Sequence, residues 1–215
     1  MVHSEIENYG ILPEIRIDDA RCAVSVAQAL RSAGLNLAKI TGETKETEKA
    51  ARNISAAFPD MLLFADALDI TDIKVLHIDE ADIHGGHFDK IRDFAAGAVR
   101  QMLGFDLAHV VINCENSEQA ERDSGKIESI FGFERTDAGA TFSNAGILHF
   151  TKQKSYGKNG QIAIRSNCIE RAIFYLRQNG RDFIEESARY DEEGRLTSIY
   201  LDNIIGGFAI KLVRS

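Results

Sequence analysis

Long apolar runs, a basic excess and a patterned set of cysteines are all missing from this chain of 215 residues. No apolar run approaches the roughly 18 residues that a membrane-spanning helix needs. The polar start MVHSEIENYG lacks the apolar core of a secretion signal. Together these absences lead to the expectation of a cytoplasmic protein with no membrane partner. The three cysteines, Cys22, Cys114 and Cys168, are scattered and odd in number, which excludes a disulfide framework and a CxxC redox or zinc site. The formal charge is −8, which argues against nucleic acid as a partner, because a phosphate backbone needs a basic face. No low-complexity tract interrupts the sequence, so its 44% apolar content can build a core throughout.

What is present falls into two rhythms, and the expected boundary lies after residue 103. In residues 1–103 short apolar strands alternate with amphipathic helical stretches. IRI (Ile15 to Ile17) is followed by a stripe of Ala23, Val26, Ala27 and Leu30 that closes at Gly34. LNLAKI, a second stripe ending at Pro59, MLLFA and KVLHI come next, and a last helix carries Phe88, Ile91, Phe94, Ala95, Ala98, Val99 and Met102 on one face. This βαβα order predicts a small parallel sheet. Residues 104–215 contain a repeat. Setting AHVVI (Ala108 to Ile112) on GQIAI (Gly160 to Ile164) fixes an offset of 52 residues that also superposes Glu118 on Glu170, Ala120 on Ala172 and Phe131 on Phe183. Each copy reads as a strand, an amphipathic helix and then strands joined by glycine-containing turns, so two βαβββ modules are expected and the fold class is α+β.

Period-two alternation sorts the strands of the second half into faces. Val110, Ile112, Leu148, Phe150, Ile162, Ile164, Phe208, Ile210 and Leu212 form rows suited to pack under helices. The opposite rows carry His109, Asn113, His149, Gln161, Arg165 and Lys211, a polar set suited to lining a cleft. Lys211 and Arg165 on that side point to a carboxylate or phosphate ligand. A second polar run, HIDEADIHGGHFD, brings His77, Asp79, Glu80, Asp82, His84, His87 and Asp89 close in sequence. It matches no metal-ligand spacing and reads as a solvated strand-to-helix connection.

The stretches LAHVVINCENSEQA and GQIAIRSNCIERAIFYL, opening tandem modules, resemble the vicinal oxygen chelate superfamily of glyoxalase I, extradiol dioxygenases and bleomycin-resistance proteins. That resemblance implies metal ligands on the first and last strands of each module, at His109, His149, Gln161 and Lys211 here. His109, His149 and Gln161 would then hold a divalent ion such as Zn, Ni or Mn only weakly, or no cofactor binds, because a lysine replaces the usual anionic ligand. The glutamate that would abstract a proton in a glyoxalase is also missing.

The first half resembles the keto-deoxy-phosphogluconate/keto-hydroxyglutarate aldolase family in IRIDDARCAVSVAQALRSAG, AKITGET and KAARNISAAFPDMLLFADAL. The resemblance implies a truncated remnant of an aldolase barrel, since a complete (β/α)₈ barrel takes about 200 residues or more. The family's Schiff-base segment, roughly V-K-F-F-P, is absent. Where its strand end reads approximately E-V-T-x-R-T, this chain has Lys39 for the glutamate and Glu43 for the arginine, so both charges are reversed. Lys39 is therefore expected to pair with Glu43 or another carboxylate, or to serve as a displaced amine nucleophile. An incomplete sheet leaves open edges, which implies a homodimer or docking on the second half.

Three functions remain open from sequence: binding of, or slow chemistry on, a small anionic metabolite of the oxo-acid kind; a metal-dependent glyoxalase-like lyase or isomerase; and a non-catalytic structural or regulatory protein. With the family's nucleophile segment missing, aldolase activity is expected to be lost. Purified protein should release no pyruvate from keto-deoxy-phosphogluconate or keto-hydroxyglutarate in a coupled assay, and borohydride should trap no pyruvate on Lys39. Pyruvate release, or an adduct at Lys39, would reverse that conclusion.

Overall fold

The computed structural model describes residues 2–65 and 73–215, in two compact units, Met1–Met102 and Leu103–Ser215. Residues 66–68 of the aldolase-like stretch fall outside the described residues. Among those described, no helix is long and apolar enough to cross a membrane.

The first unit runs α1 (Val2–Tyr9), β1 (Ile11–Arg16), α2 (Ala23–Ser32), β2 (Leu37–Thr41), α3 (Lys45–Ala57), β3 (Leu62–Phe64), β4 (Lys74–His77), α4 (Glu80–His84) and α5 (Phe88–Leu103), whose last residue belongs to the second unit. Helices α3 and α4 start where a side chain accepts from a free backbone N–H group. Thr44 accepts from the Thr47 amide at 3.1 Å and Asp79 from the Ala81 amide at 2.8 Å. The four strands are parallel in the order β3-β2-β1-β4. A consecutive arc of a barrel would set the fourth strand beside the third; here it pairs with the first. The aldolase-remnant expectation finds no support in this order. The strand expected at IRI begins earlier, at Ile11, and contains Pro13. Proline is tolerated there because the β2 ladder starts only at Glu14↔Lys39, so no partner on that side asks for the missing N–H.

One polar row crosses this sheet. Glu14 stands opposite Lys39 on one side and His77 on the other. Its carboxylate takes the Lys39 ammonium at 2.6 Å and faces His77 Nδ1 at 3.0 Å. Lys39 therefore pairs with Glu14, 25 residues away, rather than with Glu43. The Lys39 hydrogen bond holds the Glu14 carboxyl below its ordinary value of 4.5, against the opposing effect of burial. A carboxyl depressed in the folded state stabilises above its unfolded pKa and loses that contribution as pH falls through the folded one.

The second unit is β5 (Asp106–Asn113), α6 (Ser117–Phe131), β6 (Arg135–Asp137), β7 (Thr141–Asn144) and β8 (Leu148–Thr151), then β9 (Gly160–Ser166), α7 (Ile169–Gln178), β10 (Phe183–Tyr190), β11 (Leu196–Ile205) and β12 (Phe208–Arg214). These are two βαβββ modules, in the arrangement expected from the repeat. All eight strands form one sheet in the order β10-β11-β12-β9-β5-β8-β7-β6. The modules join through the antiparallel pair β5 and β9, where Val110 faces its repeat mate Ile162. β8 adds in parallel beside β5, with Leu148 opposite Val110; β12 adds in parallel beside β9, with Ile210 opposite Ile162. The two halves are thus related by a local two-fold through the Val110–Ile162 pair. The junction is close: a Cβ on Gly160 would stand 1.9 Å from the Val111 carbonyl oxygen, and the Gly160 φ is +129°.

In the first module part of the expected apolar row packs with α6. Ile112, Leu148 and Phe150 pack with Phe142, Cys114 and the α6 residues Ala120 and Ile127. In the second module Ile169, Ala172 and Tyr175 of α7 are buried, as is Leu212 of β12. Asn116 caps α6 by accepting from the Gln119 amide at 2.9 Å, and Gly132 ends the helix in the left-handed conformation.

Lys39→Met should destabilise the protein by about 1–3 kcal/mol at pH 7, between the values for exposed and buried ion pairs. Urea melts of both proteins at several pH values will check this, and the difference should shrink as the medium is acidified below the Glu14 ordinary value of 4.5.

Candidate functional site

A cavity of about 500 Å³ opens on the sheet face opposite α6 in the second unit. Strands β5, β8, β9 and β12 contribute His109, His149, Gln161 and Lys211 to its wall, with Val111 and Thr151 between them. Two further sides come from the segment before and at the start of β7 (Gly139, Ala140, Thr141) and from the segment after β8 (Lys152, Gln153, Ser155). The two-fold makes His109 and Gln161 equivalent positions, and likewise His149 and Lys211, through the registers Val111↔Gln161, His109↔Ala163, Val111↔His149 and Lys211↔Ala163.

The wall is held by hydrogen bonds. Gln161 is buried; its Oε1 accepts from the Tyr200 hydroxyl, and its Nε2 donates to the Ser155 hydroxyl. Burial pushes the Tyr200 phenol up to about 12, so it remains a donor at neutral pH. The Tyr156 ring stacks on Tyr200 at 4.4 Å. Asn113 does not line the cavity. Its Nδ2 donates to the Ser155 and Gly157 carbonyls at 3.2 and 2.8 Å, and its Oδ1 accepts from the Ser155 amide at 3.2 Å, so it fastens the segment that does. Arg165 is also outside the lining. It is exposed, 3.9 Å from Asp106, because β9 has run past the cavity by that position. Of the six residues expected at the cleft, four meet there and two do not.

The charges of the cavity are unequal. The His109 and His149 rings lie 4.8 Å apart. Burial, then the neighbouring His149, Lys211 and Arg165 charges, push the His109 imidazole below its usual value, so it is neutral at pH 7. His149 Nε2 lies 3.3 Å from the Gly146 carbonyl. Among the described residues no aspartate or glutamate lines the cavity. Among the described lysines three are half-buried, Lys39, Lys152 and Lys211. Lys39 holds Glu14, and Lys152 holds Asp137 at 2.7 Å. Lys211 has no carboxylate among the described residues; its Nζ stands 5.4 Å from the centre of the Tyr200 ring. Burial, and behind it the Arg189 charge, push its pKa down.

Comparison with known proteins adds only structural likeness at this point. No family model and no curated protein matches. The chain is similar to hypothetical protein BH1468 from Bacillus halodurans C-125, with 13% identity over 52% of this chain and 94% of that one and a TM-score of 0.36. It is similar to a methylmalonyl-CoA epimerase of Streptomyces coelicolor bound to 2-nitronate-propionyl-CoA, with 13% identity, coverage of 51% and 96%, and a TM-score of 0.35. The methylmalonyl-CoA epimerase from Mycobacterium tuberculosis gives 16%, 53% and 89%, and 0.35.

The donor set does not fit a resident divalent cation. Two imidazoles remain, but the Gln161 amide oxygen is engaged by Tyr200, no carboxylate is within the wall, and an ammonium occupies the fourth position. In the first unit the polar run HIDEADIHGGHFD disperses. Asp79 caps α4, Asp82 holds His87 and Lys90 at 3.2 and 2.8 Å, Asp89 pairs with Arg92 at 2.7 Å, and His77 joins Glu14. Glu80 and His84 meet Asp18 with donor atoms within 4.8 Å, all exposed. The Arg16 guanidinium already serves that group, 3.8 Å from Asp18 and 3.9 Å from Glu80.

Sequence reasoning missed Tyr200, Ser155 and Lys152. Tyr200 sits directly opposite Lys211 in the β11–β12 register, so reading that hairpin pairing would have put it on the cavity side. Nothing comparable marks Ser155, which reaches the wall from a connecting segment.

A half-buried ammonium without a counter-charge costs stability. Lys211→Met should raise the melting temperature at pH 7. A base whose pKa is lowered by folding carries its full penalty below the folded value, and the penalty disappears as pH rises through the unfolded one, ordinarily 10.5. The gain should therefore shrink as pH rises toward that value and be absent above it in scanning calorimetry, and a lowered melting temperature at pH 7 would show that contact with the Tyr200 ring outweighs burial.

Proposed function

We propose that the second unit binds a small anionic metabolite, of the oxo-acid kind, in the cavity walled by His109, His149, Gln161 and Lys211. The observation that carries this reading is the state of Lys211: half-buried, in the wall, and the one half-buried lysine without a carboxylate among the described residues. A charge in that position attracts an anion from solution, and the ligand's own carboxylate or phosphate would supply the missing partner. The volume suits a metabolite of modest size. The neutral His109 imidazole, together with the Thr141 and Thr151 hydroxyls in the wall, offers neutral hydrogen-bonding groups for the rest of the molecule. That no described carboxylate lines the cavity supports the same sign of ligand and weighs against both a bound cation and a carboxylate general base.

Calorimetric titration with pyruvate, glyoxylate and inorganic phosphate tests the reading against its metal-dependent alternative. One of these anions should bind. Lys211→Glu should weaken it by loss of a charge-assisted hydrogen bond of about 1.5–3 kcal/mol, roughly 10- to 150-fold. The same change should raise affinity for Zn²⁺ or Ni²⁺, since it adds an anionic ligand beside two histidines. Tight binding of one metal equivalent by the parent protein, unchanged by Lys211→Glu, would put the glyoxalase-like isomerase reading first. Failure of all three anions to bind would leave the cavity without this function.

A further inference from the structure

Resting on the anion-binding reading, we propose that Lys211 is a nucleophile as well as a charge: its ε-amine forms an imine with the keto or aldehyde carbon of a 2-oxo acid held in the cavity. The chain's other half-buried amines are unsuited to this. Lys39 is tied to Glu14 in the first unit, and Lys152 is tied to Asp137 and lies over the Phe142 ring at 4.3 Å. A carboxylate in such a pair keeps the amine protonated and occupied. Lys211 has no such partner among the described residues, faces the open volume, and has two imidazoles in the same wall.

Burial and the Arg189 charge both favour the neutral amine, the two means by which a lysine is made nucleophilic near neutral pH. The His109 ring, itself depressed in pKa by burial and by neighbours that include Lys211, is available to accept a proton. The step balances without any outside reagent. The Lys211 ammonium gives a proton to the His109 imidazole. The amine then attacks the carbonyl carbon, forming the C–N bond as the carbonyl π bond breaks, and a proton moves from nitrogen to oxygen to give a carbinolamine. The imidazolium returns its proton to the hydroxyl, which leaves as water while the nitrogen lone pair forms the iminium. Ammonium and carbonyl have become iminium and water, and the imidazole is restored. The iminium keeps the positive charge that the ligand's carboxylate requires, so a carboxylate adjacent to the carbonyl, as in a 2-oxo acid, is the arrangement this one unpaired cation serves best.

Borohydride trapping of the full chain tests the proposal, with pyruvate and glyoxylate as probes and intact and peptide mass spectrometry as readout. The expected result is one reduced adduct per chain, on the peptide carrying Lys211. Lys211→Arg keeps the charge and should still bind pyruvate by calorimetry, while its adduct falls to background. Lys39→Arg should be labelled like the parent. At saturating probe, His109→Ala should form the adduct at least tenfold more slowly, with a changed pH profile, whereas an unchanged profile would remove His109 from the step. Binding without an adduct in the parent protein overturns the imine and leaves the anion reading standing. Adducts spread over several lysines, or undiminished in Lys211→Arg, also overturn it. Neither binding nor an adduct overturns both readings together.

Discussion

The β5–β9 junction is the constraint on which the second unit depends. Two strands from different modules approach so closely at Gly160 that any side chain there would enter the Val111 carbonyl. That contact sets the register in which Val110 meets Ile162, and a one-residue slip would turn every side chain to the other face. Because β8 and β12 are laid in parallel against these two strands, the same register decides that His149 and Lys211 join His109 and Gln161 in one wall. Helix packing, cavity and charge distribution all follow from one glycine position and its neighbours.

The symmetric scaffold carries an asymmetric lining. At one equivalent pair stand His109 and Gln161, at the other His149 and Lys211. Both imidazoles lie on the first module, where the Lys152 ammonium is paired with Asp137, and the ammonium without a carboxylate partner lies on the second, so the unbalanced charge sits at one end of the cavity. A ligand with one charged group and one polar group has a single favourable orientation in such a space. In the first unit, by contrast, the half-buried Lys39 is neutralised by Glu14. The two lysines show how a partner in the next strand turns an amine into a structural tie, while the lack of one leaves it exposed to a ligand.

Much of this was legible in the sequence because strand periodicity and an internal repeat are local signals. Alternation alone put Ile112, Leu148 and Phe150 on the helix side and His109, His149, Gln161 and Lys211 on the other. Alternation says nothing about how far a strand continues past a cavity, which is why Arg165 ended beside Asp106, nor about connecting segments, which is why Asn113 proved to fasten a loop. The partner of Lys39 depended on which strand lay beside it, a matter of sheet order and not of sequence neighbours; Glu43 was nearer in the chain and Glu14 nearer in space. The order β3-β2-β1-β4 was itself hidden, since apolar strands separated by helices fit an open sheet and a barrel arc equally well. The short helix α4 (Glu80–His84) looked like loop because five residues are too few to show a period.

The bonds around Gln161 have a thermodynamic consequence. Tyr200 and Ser155 fix its amide, Asn113 fixes Ser155 by its backbone, and Tyr156 stacks on Tyr200. These groups lose their rotamer freedom when the chain folds, before any ligand arrives. Association then need not order that wall, and less of the interaction enthalpy is cancelled by lost entropy. Of the two lysines in this wall Lys152 is tied to Asp137 and Lys211 to no carboxylate among the described residues, so ordering that accompanies occupancy should fall on the four methylenes of Lys211, leaving the surrounding backbone as it was.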